Sequence, residues 1–130
     1  MPVLAEDLGL ITPGVRGLVA GCGVLGTDVL QFSDFDPLDG YNPPEHKVVY
    51  SGTHDNQTLI GWCEERYPNL DSKECAKKLL DNLYDCDADV KIVPLQDILG
   101  LDDEARMNVP GTTGKNWAWQ AKKLSQGYIK

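Results

Sequence analysis

Short apolar runs recur along the chain, each stopping at polar residues and most of them leading into a stretch of helical periodicity. Pro2-Val3-Leu4-Ala5 ends at Glu6-Asp7-Leu8-Gly9, and Val29-Leu30-Gln31-Phe32 ends at a polar stretch over 33–46. Lys47-Val48-Val49-Tyr50 ends at Ser51-Gly52-Thr53-His54-Asp55-Asn56, and Val90-Lys91-Ile92-Val93-Pro94 leads to Gln96-Asp97. Runs this short and apolar suit strands of a parallel sheet, which helices cover on its faces. The alternation predicts an α/β fold with right-handed crossovers, whose sites collect at the carboxyl ends of the strands, where the polar residues fall here. A closed eight-stranded barrel takes about 250 residues. A chain of 130 residues therefore amounts to roughly half of one or to a small open sheet.

The intervening segments carry helix signals. Thr12-Pro13 gives an N-cap and a proline at the first helical position, with Val15, Leu18 and Val19 on one face before Gly21 and Gly23. A second helix is predicted over 57–65, ended by Tyr67-Pro68. A third is capped by Asp71 or Ser72 and has Cys75, Ala76, Leu79, Leu80 and Leu83 as its apolar face. A short acidic helix over 102–105, an irregular run over 106–116 and an amphipathic tail with Trp117, Trp119, Ala121 and Leu124 follow. The 33–46 stretch, holding Asp34, Asp36, Asp39 and three prolines, has the length of a functional loop. Gly21-Cys22-Gly23-Val24-Leu25-Gly26 fits Gly-x-Gly-x-x-Gly but follows a helix, so it reads as a chance match and not a phosphate loop.

Charge narrows the partners. Twenty acidic against 12 basic residues leave a net charge of −8, with the Lys and Arg scattered among carboxylates. That pattern suits neither nucleic acid nor an anionic membrane and leaves neutral substrates open. No stretch approaches the ~20 apolar residues of a membrane span, and a cytoplasmic location is expected. Cys22, Cys63, Cys75 and Cys86 form no Cys-x-x-Cys pair, and with only His46 and His54 beside them no zinc-ligand spacing arises; no metal site is expected, and the thiols read as buried or idle.

Glu6 and Asp55, each following a strand, are candidates for the paired carboxylates that work on glycosidic bonds. The residues alone leave other readings open: Glu6-Asp7 could meet solvent at a loop, and Asp55 could cap the next helix. His54 could be structural or could donate to a sugar hydroxyl. Tyr50, Trp62, Trp117 and Trp119 could stack on sugar rings, although Trp62 falls on the core side of its helix.

Several segments form an ordered set: Ala5-Glu6-Asp7-Leu8-Gly9 with Ile11-Thr12-Pro13, Val29-Leu30-Gln31-Phe32, and Val49-Tyr50-Ser51-Gly52-Thr53-His54-Asp55-Asn56. Pro94-Leu95-Gln96-Asp97-Ile98-Leu99-Gly100, Arg106-Met107-Asn108-Val109-Pro110-Gly111-Thr112 and Asn116-Trp117-Ala118-Trp119 complete it. Read together, these segments resemble the C-terminal part of the 4-alpha-glucanotransferases, also called amylomaltases or disproportionating enzymes. The resemblance implies a TIM-type barrel of the alpha-amylase kind, of which residues 1–130 would be the C-terminal half, about strands 5–8, with no second domain. It maps the general acid/base onto Glu6 and the transition-state stabiliser onto Asp55, and it puts Asp7 and His54 near bound substrate. The implied reaction is a retaining transfer of α-1,4-glucan segments between maltooligosaccharides, without metal or organic cofactor. In that scheme Glu6 protonates the leaving oxygen and later deprotonates the acceptor hydroxyl, which calls for a carboxyl tuned toward neutrality.

One element of the pattern is missing. The family's nucleophile is an aspartate in an Arg-x-Asp-His context upstream of the glutamate, and none of the three arginines here begins that motif. Gln120 also replaces the arginine that more often follows the tryptophans. The chain is therefore expected to be a fragment, inactive alone and prone to self-association or to pairing with the missing half-barrel through open sheet edges. The alternative is a non-catalytic glucan-binding or interaction module derived from that barrel.

Overall fold

Among the described residues, three parallel strands form the sheet, in the order β1 (Gly26–Val29), β2 (Lys47–Tyr50) and β3 (Val90–Ile92). In this computed structural model the described residues are 3–9, 11–44 and 46–122. The register pairs Thr27 with Val48 and Val48 with Val90, then Val29 with Tyr50 and Tyr50 with Ile92. Side chains alternate along a strand, so Asp28, Val49 and Lys91 share one face and Tyr50 and Ile92 the other.

The Val49 face carries the core. Helices α2 (Leu59–Arg66) and α3 (Ser72–Asp85) pack there, burying Leu59, Ile60, Cys63, Cys75, Ala76, Leu79 and Leu83 with Leu30, Tyr41 and Val49. The α3 stripe is the one its periodicity predicts. Each fully buried leucine contributes about 1.5–3 kcal/mol. Asp71 caps α3 by accepting from the Lys73 and Glu74 amides at 3.0 and 2.9 Å. Burial pushes the facing Cys63 and Cys75 thiols up, which keeps them inert, whereas Cys22 is exposed.

Several elements differ from the sequence reading. The first apolar run forms a single bridge, Leu4 to Leu25, with the Ala5 amide donating to the Leu25 carbonyl at 2.8 Å; Pro2 lies outside the described residues. The second strand starts at Gly26, and residues Leu30–Phe32 form a 3-10 turn that drops Leu30 into the core and leaves Phe32 exposed. Helix α1 (Pro13–Cys22) has the predicted Thr12 cap and ends at Gly23 in the left-handed region (φ 62°), yet buries no residue; Leu18 is 67% exposed. A four-residue helix, α4 (Leu95–Ile98), follows β3. The expected amphipathic tail shows no helix through residue 122, and Leu124 lies outside the described residues.

The stretch over 33–46 is pinned to the helices. Tyr41 donates to Asp28 at 2.7 Å, Tyr67 to Asp36 at 2.5 Å, and Asn82 to the Pro37 carbonyl at 2.7 Å. The Tyr67 hydroxyl and the Leu38 amide hold the Asp36 carboxyl below the ordinary carboxylate value. These bonds account for Asp36, to which sequence gave no role, as a packing residue.

Candidate active site

Polar segments leaving the first bridge and β2 converge on the sheet face opposite α2 and α3. Leu4, Glu6 and Leu8 point the same way because they alternate, and with Tyr50, His54 and Ile92 they line one groove. Glu6 and His54 are thus brought together at the strand exits. Glu6 is solvent-exposed in this groove, so the burial that an acid/base carboxyl needs is not supplied by the described residues.

Asp7 points the other way. Its carboxylate accepts from the Thr27 amide at 2.5 Å and the Thr27 hydroxyl at 3.1 Å, and pairs with the Lys47 ammonium. Burial alone would raise this carboxyl, but Lys47 and the Thr27 amide together hold it below the ordinary value. A Cβ on Gly26 would sit 2.7 Å from the Asp7 carboxylate, so a larger residue there would push the pair aside where it crosses β1. The structure does not bring Asp7, expected near substrate, into the groove with Glu6 and His54. Neighbouring residues of an extended segment face opposite sides, a signal that period-2 alternation already contains.

His54 and Asp55 sit on a loop fastened from a distant segment. Asn108 donates its side-chain amide to Asp55 Oδ1 at 2.6 Å and its backbone amide to the His54 carbonyl at 3.1 Å. Arg106 donates to the Asp55 carbonyl at 2.7 Å and to the Asn108 carbonyl at 3.0 Å. His54 Nε2 lies 3.3 Å from Asp55 Oδ1. Asp55 borders a neighbouring hollow with Gln31, Gln57 and Arg106 and does not line the Glu6 groove. It is not a helix cap: Thr58 caps α2, accepting from the Gly61 amide at 3.3 Å.

Two further carboxylates set the loop's other end, and sequence assigned a role to neither. Asp97, 6% exposed, accepts from the Ser51 hydroxyl at 2.6 Å and the Leu59 amide at 2.7 Å, tying the end of β2 to the first turn of α2. Burial pushes its carboxyl above the ordinary value despite both bonds. Asp103 accepts from the Thr58 amide at 2.8 Å and from Gln57 at 3.2 Å. Both stand where a helix N-terminus favours negative charge. A Cβ on Gly61 would lie 2.8 Å from one Asp103 oxygen. Gly61→Ala is accordingly expected to cost about 1–3 kcal/mol, read as a lowered denaturant midpoint at unchanged slope.

Trp117 closes this region. Its ring centroid lies 5.1 Å from that of His54, and its amide donates to the Met107 carbonyl at 2.7 Å. Its backbone occupies φ 61°, strained for a bulky residue. Trp119 borders a separate hollow with Ile60 and Glu64, and Trp62 packs edge-on against Tyr67 at 5.7 Å, as its assignment to the core requires.

The family model described as 4-alpha-glucanotransferase matches residues 1–125. The chain belongs to the 4-alpha-glucanotransferase family. It is 38% identical to the 4-alpha-glucanotransferase of Thermus thermophilus, over 92% of this chain and 28% of that protein. It is likewise 38% identical to the chloroplastic/amyloplastic 4-alpha-glucanotransferase of Solanum tuberosum, over 91% of this chain and 23% of that one. Among solved structures, the amylomaltase from Streptococcus agalactiae in complex with acarbose superposes with a TM-score of 0.80 at 29% identity, covering 98% of this chain and 30% of that one. The amylomaltase from Corynebacterium glutamicum, at 20% identity, shares the fold with a TM-score of 0.64 over 89% of this chain and 24% of that one. The chain thus spans less than a third of the length of these 4-alpha-glucanotransferases.

Proposed function

We propose that this chain supplies the acid/base side of a 4-alpha-glucanotransferase site that moves α-1,4-glucan segments between maltooligosaccharides. The observation that carries the reading is the shared groove of Glu6 and His54 at the exits of parallel strands. In the proposed reaction Glu6 protonates the departing glycosidic oxygen. It then takes the proton of the acceptor hydroxyl as that oxygen attacks, so that one group serves both halves of a retaining transfer. The Asp55 carboxyl, aimed by Asn108, opposes positive charge at the reacting carbon, and His54 donates to a sugar hydroxyl. Asp7 acts on this reading as a structural anchor for β1 and β2.

A retaining mechanism also needs a nucleophilic carboxylate about 5–5.5 Å from the acid/base, and no Arg-x-Asp-His pattern occurs in these 130 residues. We place the chain as the C-terminal half of a barrel, about strands 5–8. The sheet supports that placement. Val90 and Ile92 are 41% and 38% exposed on the groove face, whereas Lys91, between them, reaches toward α3 and donates to the Tyr84 carbonyl. An apolar strand face turned outward in this way suits a partner wall, which would also bury Glu6.

The test is completion. The 130-residue chain is expected to show no maltotriose disproportionation above a heat-killed control. The same chain fused behind the upstream barrel segment of a family member, carrying the Arg-x-Asp-His motif, is expected to turn over. A folded fusion that binds maltotriose without converting it would overturn the catalytic reading in favour of a binding module.

A further inference from the structure

The segment that carries Glu6 is joined to β1 in an unusual way. The parallel pairing of Leu4 with Leu25 makes one ladder bond, from the Ala5 amide to the Leu25 carbonyl at 2.8 Å. A continuing ladder would next join the Thr27 and Asp7 amides to backbone carbonyls across the gap. Side chains take both places instead. The Thr27 amide donates to Asp7 Oδ1 at 2.5 Å, and the Asp7 amide donates to the Thr27 hydroxyl at 3.3 Å. That hydroxyl donates in turn to Asp7 Oδ1 at 3.1 Å, while Asp7 Oδ2 pairs with the Lys47 ammonium from β2.

Glu6 lies between the two fastenings, with the Ala5 amide before it and the Asp7 amide and carboxylate after it. The segment leaves the sheet at this point and stays tethered to β1 by a reciprocal pair of side chains. Thr27 is buried at 6% exposure, where bonds to a charged acceptor are strong. We propose that Asp7 is the positioning residue of the acid/base: standing in for the missing ladder bonds, it fixes where Glu6 enters the groove. Lys47 sets the direction of the carboxylate, so the position of Glu6 is referred to two strands at once. The inference rests on the reading of Glu6 as the acid/base and gives Asp7 no contact with sugar.

In the completed barrel, Asp7→Ala is expected to lower kcat for maltotriose disproportionation about 100-fold with KM within about twofold of the parent, because a small displacement of a reacting group costs that much. Asp7→Asn keeps an acceptor for the Thr27 amide and is expected to recover most of the loss. The deciding readout is a reaction that asks nothing of Glu6. With α-maltosyl fluoride and azide, the C1–F bond breaks, fluoride leaves with the electron pair and without a proton, and azide forms the C1–N bond without giving one up. On that pair of reactants Asp7→Ala is expected within about threefold of the parent. Equal losses on both reactions would make Asp7 merely structural, and a KM raised on both would return it to substrate contact; either overturns the proposal.

Amide hydrogen exchange in the 130-residue chain gives a reading independent of turnover. Asp7→Ala is expected to speed exchange at Ala5 and Thr27 about tenfold while leaving Leu79, in the helical core, unchanged. Unchanged exchange at both sites sinks the positioning role alone. Faster exchange there, beside a parent barrel that fails to turn over, sinks the catalytic reading and leaves the tether standing.

Discussion

Glu6→Gln in the completed barrel is expected to lower maltotriose disproportionation by between about 100-fold and 10,000-fold, the usual contribution of a positioned general acid/base. Glutamine keeps the size but can neither give nor take the proton, so substrate affinity should change far less than turnover. The melting temperature should hardly move, because Glu6 makes no hydrogen bond among the described residues and glutamine fills the same volume. A variant within threefold of parent turnover would remove Glu6 from the reaction. A variant that loses melting temperature in step with activity would make its role structural.

Asp97→Ala is expected to have the largest effect on stability. It strands the Ser51 hydroxyl and the Leu59 amide in a buried site, at a cost of about 2–4 kcal/mol. The pH dependence has an unusual sign. The folded-state carboxyl lies above its ordinary 3.8 because burial outweighs the two bonds, so the folded chain binds the proton more tightly than the unfolded one. The stabilisation from Asp97 is thus fully present below 3.8 and declines as pH rises through the raised folded value. The Ala substitution should therefore cost more at pH 3.5 than at pH 7, as denaturant titrations at the two values would measure. Asp7 behaves oppositely, since Lys47 and Thr27 hold it below 3.8: its contribution is present above 3.8 and lost as pH falls through the lowered value. A larger cost for Asp97→Ala at pH 7 would refute the burial argument.

The parts legible from sequence are those in which local pattern and tertiary demand agree. β2 is a compact β-branched run, and α3 has a cap, a clean stripe and no glycine; both form where expected. β1 moved because Leu30 serves the helix-side core and not the strand, a demand set by contacts with α2 and α3. The ordered motifs carried the family, and they brought Glu6 and His54 to one groove. The separation of Asp7 from them was hidden by treating two neighbouring carboxylates as one feature. Arg106, Asn108, Asp97 and Asp103 were visible as residues but silent as to role, because each acts on a loop about 40 to 50 positions away in the chain. Only the closed structure shows which backbone groups they satisfy.

The buried cluster runs from Leu30 to Cys86, whereas Glu6 precedes it and Trp117 follows it. Its largest part is two sequence-adjacent helices, the kind of local pairing that forms early and opens last. A folding polypeptide of this sequence would consolidate its middle first and collect its two ends afterwards. Glu6 would then sit on a segment with little intrinsic persistence, whereas His54 and Asp55 lie within the middle span, so that loss of the acid/base precedes loss of the helical nucleus as the protein is warmed.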